Sequence, residues 1–92
     1  MYELEYTGQF KKDFKRICKQ GLDLQSLQTV LNYLVEEGQV PNSFRPHILS
    51  GKLSGIWECH IKPDWLLLYE PAETIKIVRL IRTWSHSELF KK

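Results

Sequence analysis

Residues 2–6, Tyr-Glu-Leu-Glu-Tyr, alternate apolar and acidic positions with a period of two, which predicts a strand with one face on a core. The pattern changes at Thr7, which can cap a helix where Phe10, Phe14, Ile17 and Cys18 recur at i, i+4, i+7 and i+8 as a buried stripe. Gly21 supplies a left-handed stop. Two residues later Asp23 caps a second helix carrying Leu24, Leu27, Leu31, Leu34 and Val35 on one side. Leu22 stands where a hydrophobic staple would meet Leu27, and Gly38 closes the segment. So short a connection makes the two helices an antiparallel pair.

Residues 38–53 hold two prolines, two glycines and no sustained period, which predicts a long irregular loop of the kind that often carries function. From Gly55 the pattern becomes that of strands: "IWECHIK", a "KPD" turn, "WLLLYE", a "PAET" turn and "IKIVRLIRT". The order β-α-α-β-β-β describes one α+β domain over residues 1–92, an antiparallel sheet with a two-helix hairpin on one face. The other face is left for a ligand.

Composition adds three constraints. Apolar residues at 42% and charged residues at 26% are globular values, and the chain has neither a bilayer-length apolar run nor a leader-like start, so a cytoplasmic protein is expected. Cys18 and Cys59 lack the spacing of a metal site or redox motif and are expected as reduced core thiols. The net charge is only +2, yet Lys11, Lys12, Lys15, Arg16 and Lys19 crowd the first helix. That cluster is either a solvated helix face or the footprint of a polyanion such as RNA.

The three histidines fall in or after the irregular loop. In "IWECHIK", alternation turns Trp57, Cys59 and Ile61 toward the helices and Glu58, His60 and Lys62 toward the open side, so Cys59 and His60 point apart. His86 follows Arg82 at a strand end, and His60 lies on the central hairpin beside Asp64. Each alone is an ordinary surface residue. Together they offer imidazoles to move protons near neutrality, a carboxylate, and a guanidinium to fork onto phosphate oxygens. No metal-ligand set accompanies them. The combination suits cleavage of RNA by the substrate's own 2′-hydroxyl, without metal or cofactor. Trp84 either packs on the sheet or offers a base a stacking surface.

The segments "HILSGKLSGIWECHIKPDWLLLY" and "RTWSHSELF" resemble the YafQ branch of the RelE superfamily, bacterial toxins of type II toxin–antitoxin systems, and "YTGQFKKDFKR" is similar to that branch's opening. The motifs H-x-L-x-G, H-I-x-P-D-W-x-L-x-Y and S-H-x-x-L-F occur in order over nearly the whole chain. The resemblance implies an endoribonuclease that enters the ribosomal A site, cuts messenger RNA there, and is held inactive by a cognate antitoxin in a heterotetramer. It implies His86 as the principal catalytic histidine and general acid, with His47, His60 and Asp64 in support. Arg82 is expected on the scissile phosphate, Phe90 against His86 or a base, and Trp65 near the base. Trp84 departs from relatives that carry a small residue there. A gyrase-poisoning toxin like the ParE branch is the rival on the same scaffold, and a generic RNA-binding module is a third reading.

Overall fold

The computed structural model describes residues 1–85, and its helices begin and end where the sequence places their caps. Thr7 Oγ1 accepts from the Phe10 N–H at 3.1 Å to open α1 (Gly8–Gln20), and Gly21 closes it at φ 73°. Asp23 accepts from the Gln25 N–H at 3.1 Å and the Ser26 hydroxyl at 3.0 Å to open α2 (Leu24–Glu37). Each bond satisfies a donor that a helix start would otherwise leave orphaned.

Five strands form one sheet in the order β1-β5-β4-β3-β2: β1 (Glu3–Tyr6), β2 (His47–Ile48), β3 (Trp57–Lys62), β4 (Trp65–Ala72) and β5 (Ile77–Ser85). The predicted meander is β3-β4-β5, antiparallel throughout. Two features depart from the expectation. β1 joins β5 in parallel, so the sheet is mixed, because the helical hairpin carries the chain across the sheet before it returns through the other strands. The predicted loop contributes the short β2 beside β3 and two 3₁₀ turns, Asn42–Phe44 and Gly51–Leu53.

The core lies between the helices and one face of the sheet. Ile17, Val30 and Leu34 meet Cys59, Leu67, Tyr69, Val78 and Leu80, all at 0–1% exposure. Each large aliphatic side chain buried this way stabilises the fold by roughly 1.5–3 kcal/mol. The buried stripe of α1 keeps Phe10 and Ile17 from the predicted set and adds Asp13, while Phe14 is 37% exposed and Cys18 is also exposed. The axis of α1 is turned so that Asp13 faces β5 and Phe14 faces outward. On α2, Leu24 is exposed as well, at the mouth of a groove between the helices.

Gly38 shows why the second helix must stop where it does. Its φ is 72°, and a Cβ there would lie 2.4 Å from Cζ of Tyr2, whose ring seals the end of the core. Gly38→Ala meets both the left-handed penalty, about 1–2 kcal/mol, and a clash with that ring. A fall in thermal midpoint of at least about 4 °C is expected by calorimetry; an unchanged midpoint would contradict this packing.

Candidate functional site

The register of the sheet sets out the open face in rows. His47 pairs with Glu58, Glu58 with Leu68 and Leu68 with Arg82, so these four share one row across β2, β3, β4 and β5. The next row is His60, Leu66 and Trp84. With strands about 4.8 Å apart, the backbones of His47 and Arg82 are separated by about 14 Å, and those of His60 and Trp84 by about 10 Å. Alternation along β3 turns Glu58 and His60 away from the helices, whereas Arg82 reaches back around the free edge of β5 to Asp13 on α1. Asp64 is exposed in the β3–β4 turn, and the pairing of Trp65 with Ser85 sets the last described residue of β5 beside that turn. The predicted site residues His86 and Phe90 lie outside the described residues.

Neighbours constrain both described imidazoles. His47 Nε2 is 3.0 Å from a carboxylate oxygen of Glu58, a residue the sequence placed on the open side without a role. His60 Nδ1 is 3.3 Å from the Pro63 carbonyl. That oxygen can only accept, so the contact favours the tautomer with a proton on Nδ1 and a lone pair on Nε2. A recess of about 300 Å³ opens beside His60, with Arg45 and Lys62 on its walls.

Arg82 is held more firmly than its sequence position suggests. Asp13, fully buried on α1, accepts from Arg82 Nε and Nη2, each at 3.1 Å, from the Thr83 N–H at 3.1 Å and from Gln9 Nε2 at 3.0 Å. Arg16 approaches the same carboxylate at 3.6 Å. Burial pushes the Asp13 carboxyl up, but the Arg82, Gln9 and Thr83 hydrogen bonds outweigh it and hold the group below its ordinary value. Arg82 is shifted upward by the same partnership, and the pair stays ionised. Sequence patterning missed Asp13, although the positions i, i+3 and i+7 from Phe10 to Ile17 pass through it.

Trp65 corrects an expectation. Its ring is 2% exposed, its indole N–H donates to Thr83 Oγ1 at 2.9 Å, and that hydroxyl donates to the Leu66 carbonyl at 2.8 Å. It braces β4 against β5 from the helix side and presents no surface to a base. Trp84, half-buried on the open face, keeps the geometry for one. Lys11, Lys12, Lys15, Arg16 and Lys19 are all exposed.

A model of the family described as "Bacterial toxin of type II toxin-antitoxin system, YafQ" matches residues 2–91. This chain belongs to the YafQ toxin family. It is 33% identical to the mRNA interferase toxin YafQ of Escherichia coli K12, over 96% of this chain and 95% of that protein. The YafQ fold is also that of the E. coli DinJ-YafQ complex (TM-score 0.83, 32% identity, 99% of this chain and 100% of that one). A metal-bound toxin from Helicobacter pylori matches equally well (TM-score 0.83, 39% identity, 98% of this chain and 100% of that one). In this YafQ-family chain no group of three or more His, Cys, Asp or Glu side chains among the described residues could hold a metal ion. No helix among them is long and apolar enough to cross a membrane.

The two thiols differ sharply. Cys18 is exposed, against expectation, because α1 turns it away from the core; Cys59 is fully buried, and desolvation pushes its thiol up to about 12. At pH 8.5, iodoacetamide should therefore modify Cys18 and leave Cys59 intact until the chain unfolds. Peptide mapping that found both modified in the folded protein would overturn this placement.

Proposed function

We propose that this toxin is a ribosome-dependent endoribonuclease that cuts messenger RNA with the substrate's own 2′-hydroxyl and is restrained by a cognate antitoxin. The observation that carries the proposal is the uncovered sheet face, where His47, His60 and Arg82 lie in adjoining rows with Asp64 at the neighbouring turn. The curated relative named an mRNA interferase supports the same activity. The charge on α1 gives the protein a face for ribosomal or messenger RNA, and the setting is the cytoplasm, where translation occurs.

In the proposed reaction a base removes the 2′-hydroxyl proton, and the 2′-oxygen attacks phosphorus. The bond to the 5′-oxygen breaks, and an acid protonates that oxygen as it leaves. The products are a 2′,3′-cyclic phosphate and a 5′-hydroxyl. His60 is suited to the first transfer, since its Pro63 contact leaves Nε2 able to accept a proton. His47, oriented by Glu58, can assist. Arg82 offsets the charge that grows on the phosphoryl oxygens. His86 serves as the acid, a role drawn from the family pattern.

Restraint by an antitoxin has its own support. Tyr6 at the end of β1 meets Phe10 of α1 at a tilt, with centroids 5.9 Å apart, and Phe10 stacks on Phe14 at 6.4 Å; the three rings line an apolar groove of about 720 Å³ between the helices. Lys11 and Lys15 stand beside it, so an amphipathic acidic helix fits both its shape and its charge. Such a segment covers the lysines that RNA needs, making the two partners mutually exclusive. The E. coli relative is found in a complex with DinJ, and a toxin–antitoxin heterotetramer is the assembly proposed by analogy.

His86→Ala should lower cleavage of a translated message by about 10²- to 10⁴-fold with an unchanged circular dichroism spectrum. Primer extension showing undiminished ribosome-phased cuts would refute the acid assignment, and gyrase-dependent DNA damage with intact messages would move the protein to the ParE class. For the antitoxin, Phe14→Asp combined with Leu24→Asp should abolish co-purification with the co-expressed partner while the fold persists. Retention of the complex would place the partner elsewhere.

A further inference from the structure

A carboxylate on the buried side of α1 needs a reason to be there. Among the described residues Asp13 is the only fully buried acid, and removing a carboxylate from water costs several kcal/mol unless its oxygens are fully bonded. They are: each oxygen of Asp13 accepts two hydrogen bonds, at 3.0–3.1 Å. Two of these serve the fold. β1 ends at Tyr6 while β5 continues to Ser85, so the edge of β5 beyond Leu80 has no neighbouring strand, and Asp13 supplies the acceptor that the Thr83 N–H lacks. Gln9, one turn earlier on α1, steadies the same carboxylate.

The remaining two bonds go to the exposed Arg82 and are not needed to satisfy the edge. They engage Nε and one Nη2 hydrogen, which fixes the plane of the guanidinium. Nη1 and the second Nη2 hydrogen have no partner among the described residues, and the side chain is 44% exposed. A guanidinium has five donors in a rigid fork, so one edge can remain on Asp13 while the other grips two phosphate oxygens. Without Asp13 the same head group would swing through many rotamers.

We propose that Asp13 is a positioning residue of the cleavage site, holding the Arg82 guanidinium by one edge so that the opposite edge meets the scissile phosphate in a fixed orientation. The proposal rests on Arg82 as the phosphate ligand of the reaction above. Asp13 touches no substrate and acts only through Arg82. Its negative charge lowers the attraction of Arg82 for a free phosphate, so its benefit lies in orientation and appears in the rate of the chemical step more than in substrate affinity.

A double-mutant cycle tests this on the ribosome-bound toxin with a translated reporter message. kcat and KM are measured for the parent, Asp13→Asn, Arg82→Ala and the double variant, and thermal unfolding is followed for each. Asp13→Asn retains an acceptor for Thr83 but cannot complete the charged fork. It is expected to lower kcat by about 10²-fold with KM changed by less than about threefold. The double variant should be no slower than Arg82→Ala alone, because an effect transmitted through Arg82 cannot be lost twice.

Multiplicative losses, or a full kcat in folded Asp13→Asn, would overturn the proposal while leaving Arg82 as a phosphate ligand. Faster cutting by Asp13→Asn would overturn it in the opposite sense, making the pair a restraint. Full-rate cutting by Arg82→Ala would instead remove the phosphate role itself, and the proposal with it. Should Asp13→Asn fail to fold, Arg82→Lys decides the matter: it keeps the charge but lacks the planar fork that fixes one edge on Asp13 and directs the other at phosphate. A loss close to that of Arg82→Ala supports the held fork, and near-parental activity overturns it.

Discussion

The end of β5 that leads to position 86 is secured by a carboxylate rather than by another strand. A sheet edge exposes backbone donors that must be bonded or hydrated, and β1 is too short to serve those of residues 81–85. Thr7 and Asp13 take its place. The Thr7 hydroxyl donates toward the Leu80 and Ile81 carbonyls at 2.9 and 3.1 Å, and Asp13 accepts from Thr83, so the N-cap and the first two turns of α1 act as a substitute strand. The fold thereby ties its first helix to the strand on which the proposed chemistry depends. A shift of α1 would be felt at Arg82 directly.

The division of labour between the sheet's faces follows from this. One face is closed by the helices over a core of fully buried aliphatic side chains, where Cys59 and Tyr69 are kept protonated by desolvation and Tyr69 donates to Gln39. The other face carries ionisable groups that meet one another across the rows, Arg79 with Glu5 and Glu70 and His47 with Glu58. Stability is concentrated on the face away from the proposed site. The open face can then be specified by chemistry alone, since little of the core's apolar burial depends on it.

Much of this was legible in the sequence because the relevant signals are local. Thr7, Gly21, Asp23 and Gly38 bound two helices through capping geometry that extends only a few residues, and alternation in "IWECHIK" assigned His60 and Cys59 to opposite faces. What escaped was decided by distant partners. The parallel pairing of β1 with β5 joins residues more than seventy positions apart. The burial of Asp13 is favourable only because Arg82 and Thr83 come to meet it, so hydrophobic patterning ranked Phe14 and Cys18 above it for the core. Trp65 is expected near a base, but Thr83, eighteen residues away, claims its indole N–H.

Local irregularity completes the site. Between His60 and Lys62 the register of β3 slips by one residue against β4, and a second slip lies opposite Leu68 and Tyr69, where β5 contains Ile81 as an extra residue. A bulge bends its strand and re-aims the side chains around it. Here both bulges lie on the strands flanking β4, one beside His60 and the other beside Arg82, the two residues proposed to take the proton and to hold the phosphate. A regular sheet would leave those side chains parallel, at a spacing fixed by the strands. Two bulges give each its own angle without moving the core beneath them, which remains continuous through Leu67, Tyr69 and Leu80. Asp13 then matters because a re-aimed arginine on a bent, unpaired edge has no other constraint on its direction.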